Sequence, residues 1–68
     1  MKVVLQQYEN TFADFNVPAH RELTDDLIMK SVKVAMGFLR NGDIEDGYFD
    51  ILLENYRGDI FDSVVWCL

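Results

Sequence analysis

Four carboxylates, Asp43, Asp46, Asp50 and Glu54, recur at intervals of three and four residues, the spacing that stacks side chains along one face of a helix. Such a row has one evident use, which is electrostatic: it repels phosphate and attracts a basic surface. Glu45, Asp59 and Asp62 lie close in sequence and would thicken the field, so Asp43, Glu45, Asp46, Asp50, Glu54, Asp59 and Asp62 form the candidate partner-binding set. Carboxylates one helical turn apart recur about every 5.4 to 6 Å, against about 3.4 Å between phosphates of one DNA strand, so mimicry of a nucleic acid would be loose. The expected role is that of a non-catalytic inhibitor or regulator, docking its acidic helix face on a basic surface of another protein, including one that itself binds nucleic acid. Small acidic chains of this kind are common among phage- and plasmid-borne accessory proteins, an association of size and charge alone.

Other chemistry fits the residues less well. The run Asn41-Gly42-Asp43-Ile44-Glu45-Asp46-Gly47 alternates acidic residues near glycine, as calcium loops do. Aligned from Asn41, however, it has Asp46 where the loop needs Gly and Leu52 where it needs a bidentate Glu. His20 is the one histidine and Cys67 the one thiol, in separate segments with no third ligand beside either, so neither zinc nor a Cys–His nucleophile is expected. His20 reads as a solvated loop residue and Cys67 as a small buried hydrophobe. Carboxylate pairs for acid–base work need a cleft that separates their pKa values, and an exposed helix face offers none. Neither catalysis nor a cofactor or metal is therefore expected.

The totals sharpen the electrostatic reading. Residues 1–42 balance Glu9, Asp14, Glu22, Asp25 and Asp26 against Lys2, Arg21, Lys30, Lys33 and Arg40, whereas residues 43–68 set seven acidic residues against Arg57 alone, so the whole net charge of −6 follows Gly42. Direct contact with nucleic acid or an anionic membrane is disfavoured. A chain of 68 residues is expected to form one domain of marginal stability, and with a single cysteine it has no internal disulfide to draw on. The lone cysteine, the lack of a leader-like segment and the lack of a membrane-length apolar run give the expectation of a cytoplasmic setting.

The elements that would hold the row follow from apolar periodicity. Thr24 as cap, Asp25 and Asp26 in the first turn, Arg40 in the last and Asn41-Gly42 beyond it delimit a helix over 25–40. Its apolar residues cover more than half its circumference, which implies contact from several sides. Asp43 with Asp46 three residues on reads as a capping box opening a second helix over 44–57, closed by Gly58. The short connection makes these two an antiparallel hairpin. Residues 3–15 place Val4, Leu5, Tyr8, Phe12 and Phe15 on one helical arc, and Ile60, Val64 and Leu68 suggest a short helix over 60–67. The expected fold is an all-α bundle; the alternative is α+β, with an N-terminal β-hairpin or a C-terminal strand, since the β-branched and aromatic content of both ends suits strands. A second functional reading is a homodimeric structural module, with Trp66 and Leu68 as the apolar contact and the basic stripe Lys30, Lys33 and Arg40 pairing with the acidic one.

Overall fold

From Tyr48 to Glu54 burial alternates residue by residue: Phe49, Ile51 and Leu53 are enclosed, while Tyr48, Asp50, Leu52 and Glu54 keep contact with solvent. A period of two belongs to a strand, not a helix. The structure, a computed structural model describing residues 1–68, consists of β1 (Lys2–Gln7), β2 (Asn10–Asn16), α1 (Asp25–Arg40), β3 (Tyr48–Glu54) and β4 (Ile60–Cys67). All neighbouring strands pair antiparallel, in the order β2-β1-β3-β4.

The all-α bundle is thus not formed, and the helices expected over 3–15, 44–57 and 60–67 are strands and turns; the fold is α+β. Two local features show why. Gly47 has φ +137, a backbone conformation open to glycine alone and incompatible with the first turn of a helix over 44–57. Tyr8 and Glu9 both have positive φ, 52 and 66, which makes them the two central residues of a tight hairpin between Gln7 and Asn10. The helix over 25–40, by contrast, is present with its expected ends. The Thr24 side chain accepts the Leu27 N–H, and Gly42 (φ +81) turns left-handed while the N–H groups of Gly42 and Asp43 bond the carbonyls of Leu39 and Phe38. This is a Schellman closure of the helix end.

β2 and β3 run parallel with β1 between them, so the chain must cross the sheet to connect them, and α1 is that crossover. It lies on one face only. Leu27, Ser31, Val32 and Ala35 are buried against the inward row Val3, Leu5, Phe49, Ile51 and Leu53, and Phe12 meets Phe38 and Phe49 edge to face. Phe12 reaches this layer through a β-bulge opposite Leu5 and Gln6, which turns both Phe12 and Ala13 inward. The helix is therefore not contacted from several sides: Met29 and Met36 remain 47% exposed. The opposite sheet face, with Lys2, Val4, Gln6, Asp14, Asp50, Leu52, Glu54, Ser63, Val65 and Cys67, carries no covering element. Cys67 is exposed there, opposite Tyr48, rather than buried, and His20 is half-buried rather than fully solvated.

The helix end makes a paired prediction. Neither Gly37 nor Gly42 has an atom within 4 Å of an added Cβ, so only backbone conformation distinguishes them. Gly37→Ala should stabilise the protein by about 0.5–1 kcal/mol through helix propensity, whereas Gly42→Ala should destabilise it by about 1–2 kcal/mol through its left-handed φ. Urea unfolding of the two variants checks both signs.

Candidate acidic groove

The seven carboxylates of the candidate set do not form one row. Asp43, Glu45 and Asp46 lie exposed in the α1–β3 loop; Asp50 and Glu54 point from β3 to the uncovered sheet face; Asp59 is exposed in the β3–β4 turn at the far end of the sheet; Asp62 points to the helix side of β4. The helical face that was to unite them does not exist. Two of them are also engaged. Asp62 accepts the Leu23 N–H at 2.7 Å, tacking the segment before α1 onto β4, and the N–H of its neighbour Ser63 at 2.9 Å. Glu54 faces Lys2 across the β1–β3 pair at 3.8 Å, a half-exposed contact that offsets part of its charge.

The loop group differs because other elements converge on it. Buried Gln7, at the end of β1, holds Glu45 by both main-chain groups: its amide donates to the Glu45 carbonyl at 2.7 Å and its carbonyl accepts the Glu45 N–H at 2.9 Å. Ile44 inserts into the core, so the loop is anchored by one apolar and one polar attachment. Between this loop and the β1–β2 turn runs an open groove of about 280 Å³, lined by Gln7, Tyr8, Asn10, Phe12, Gly42, Asp43, Ile44 and Glu45. That volume falls below the usual range for an enclosed small-molecule site, about 300–1,000 Å³, and suits a recess for a side chain.

The groove has a negative character from three sources. Asp43 and Glu45 line it, Asp46 and Glu9 are exposed in the two segments that form it, and the C-terminus of α1, the negative end of the helix dipole, arrives at Asn41. Arg40 in the last turn is the one exposed cation of the adjoining helix end. Tyr8, 71% exposed, stands at the rim on left-handed backbone. Non-glycine residues in that region carry strain of order 1–3 kcal/mol each, and such strain concentrates at functional positions.

Asp43 and Glu45 of the expected set line this groove and Asp46 adjoins it, whereas Gln7, Tyr8, Asn10 and Phe12, which also line it, lie outside that set. The turn has no glycine to announce it, and the Gln7–Glu45 pair spans 38 positions. Trp66 and Leu68, the expected dimer contact, are half-buried on the helix side of the sheet and pack against the core. No group of three or more His, Cys, Asp or Glu residues is arranged to hold a metal ion, and no helix is long and apolar enough to cross a membrane. Comparison with protein-family models, with curated proteins and with solved structures finds no match.

If Gln7 fixes the loop, Gln7→Ala should release it. The expected loss is about 1–3 kcal/mol of stability, because two main-chain groups lose a buried partner. Amide exchange at Glu45 should accelerate more than exchange at Ile51. Equal acceleration at both positions would mean that the pair supports the whole fold rather than the loop.

Proposed function

We propose that the protein is a non-catalytic binding module that docks on a basic surface of a partner protein, with the acidic groove between the β1–β2 turn and the α1–β3 loop as its contact. The observation that supports this reading most strongly is the convergence at one end of the molecule of lining carboxylates Asp43 and Glu45, the helix C-terminus and the exposed ring of Tyr8. An arginine or lysine side chain entering the recess would meet carboxylate oxygens and an aromatic ring, a combination that favours cations. Tyrosine is also among the residues that most often anchor protein interfaces.

The groove narrows the earlier seven-residue set to Asp43 and Glu45, with Asp46 and Glu9 supplying longer-range field. Asp50, Glu54 and Asp59 contribute to steering only, and Asp62 is structural. The comparison with a row of DNA phosphates loses its basis, because it required helical spacing that no element here supplies. The inhibitor or regulator role stays within the proposal, since a groove that captures a basic side chain would mask it.

A short Arg-rich peptide is the direct probe, followed by residue-resolved NMR. Shifts should concentrate at Gln7–Asn10 and Gly42–Asp46, and should fade as ionic strength approaches about 1 M, where the Debye length is about 3 Å. Asp43→Asn with Glu45→Gln should weaken binding about ten-fold, corresponding to about 1.4 kcal/mol, whereas Asp50→Asn with Glu54→Gln should change it less than about two-fold. Equal losses in the two double variants would reduce the effect to net charge and remove the groove from the account.

A further inference from the structure

Beyond the groove, the two edges of the sheet differ in a way that points to a second partner. The Leu68 N–H donates to the Gly47 carbonyl at 2.8 Å, and the β3–β4 register places Phe49 opposite Trp66, Ile51 opposite Val64 and Leu53 opposite Asp62. In an antiparallel ladder, residues that bond the neighbour alternate with residues whose main-chain groups face away. Trp66, Val64 and Asp62 therefore bond β3, and Ser63, Val65 and Cys67 direct their N–H and C=O groups to the open edge.

By the same alternation, starting from the Val17 N–H bond to the Met1 carbonyl, the free edge of β2 is formed by Asp14 and Asn16. That edge carries a carboxylate and a bulge at Phe12, two of the devices by which proteins discourage edge pairing. The β4 edge directs no carboxylate outward, and its one bulge, at Phe61, lies outside the segment Asp62–Leu68. That segment is regular, and its outward residues are uncharged. Its one carboxylate, Asp62, is turned to the helix side and held by Leu23.

We propose that β4 pairs with β4 of a second copy of this chain, antiparallel about a two-fold axis at Val65, joining two sheets into one of eight strands. The regular part of the strand is self-complementary about that centre. Val65 meets its own copy and Ser63 meets the partner's Cys67 on the uncovered side, and Val64 meets the partner's Trp66 on the helix side, so an apolar pair flanks the axis in each direction there. Asp62 falls opposite Leu68 and never opposite itself. The pairing supplies about six main-chain hydrogen bonds, two for each pair of outward-facing residues. A net charge of −6 on each copy opposes association, so salt strengthens it. This is the reverse of the salt effect on the groove, and either reading can fail while the other stands.

The test is sedimentation of the full chain from about 10 µM to about 1 mM at low and high salt, a range that brackets weak association, joined to amide exchange at both ends of the range. The expected result is a monomer–dimer equilibrium favoured by salt, with exchange of the Ser63, Val65 and Cys67 amides slowed at least ten-fold at high concentration. Val65→Lys places two cations across the axis; since Val65 is 59% exposed, the monomer should keep its fold while association weakens at least ten-fold. Ser63→Cys, opposite the native Cys67 of the other copy, should give a disulfide-linked dimer on oxidation. A monomer at the highest concentration and salt would overturn the proposal, as would a dimer that leaves the three amides unprotected or is indifferent to Val65→Lys.

Discussion

The structure depends on one constraint: a single helix must cover a four-stranded sheet. α1 has room for one face, so the inward residues of β1 and β3 become the core and everything on the other face must tolerate water. In the central strands Val3, Leu5, Phe49, Ile51 and Leu53 point inward with at most 1% exposure. The other face mixes polar Lys2, Gln6, Asp50 and Glu54 with apolar Val4 and Leu52, of which Val4 is only 5% exposed. Each enclosed aliphatic or aromatic side chain contributes about 1.5–3 kcal/mol by leaving water. In a chain this short that layer is nearly all the stabilisation available, which leaves little tolerance for polar or undersized residues there.

The same constraint sorts the charge. Because β3 alternates, its carboxylates Asp50 and Glu54 are carried to the uncovered face, away from the loop that holds Asp43, Glu45 and Asp46. The loop in turn is positioned by the helix end. The left-handed turn at Gly42 reverses the chain, Ile44 fills the space beneath α1, and Gln7 reaches across from β1 to fasten Glu45. Core formation and presentation of the acidic groove are thus two results of one chain reversal, with a buried side chain and an exposed carboxylate one residue apart.

The helix was legible because its signals are local: a threonine cap, two acidic residues in the first turn and a glycine beyond the last. The strands were misread because short apolar stretches satisfy both periods. Ile44, Tyr48, Ile51 and Leu52 fit a helical arc as well as Phe49, Ile51 and Leu53 fit a strand, and the difference lies in which set finds a surface to pack on. The apparent cap of Asp43 with Asp46 belongs to a loop, and Gly47, inside the helix expected over 44–57, is the strand's point of entry. The N-terminal hairpin was obscured by a turn built from Tyr8 and Glu9 where glycine is usual. Concentration of charge after Gly42 was correctly read, but its arrangement required the fold.

The measurement that bears most directly on this account is nuclear Overhauser contact between Hα protons across β3 and β4. Asp50 with Val65 and Leu52 with Ser63 face each other without direct main-chain hydrogen bonds, the arrangement that brings Cα atoms to about 4.5 Å in an antiparallel pair. Strong Hα–Hα contacts at both pairs are expected. Their absence, with contacts instead between residues three apart throughout 44–57, would restore a second helix with its single acidic face and contradict both the fold and the groove.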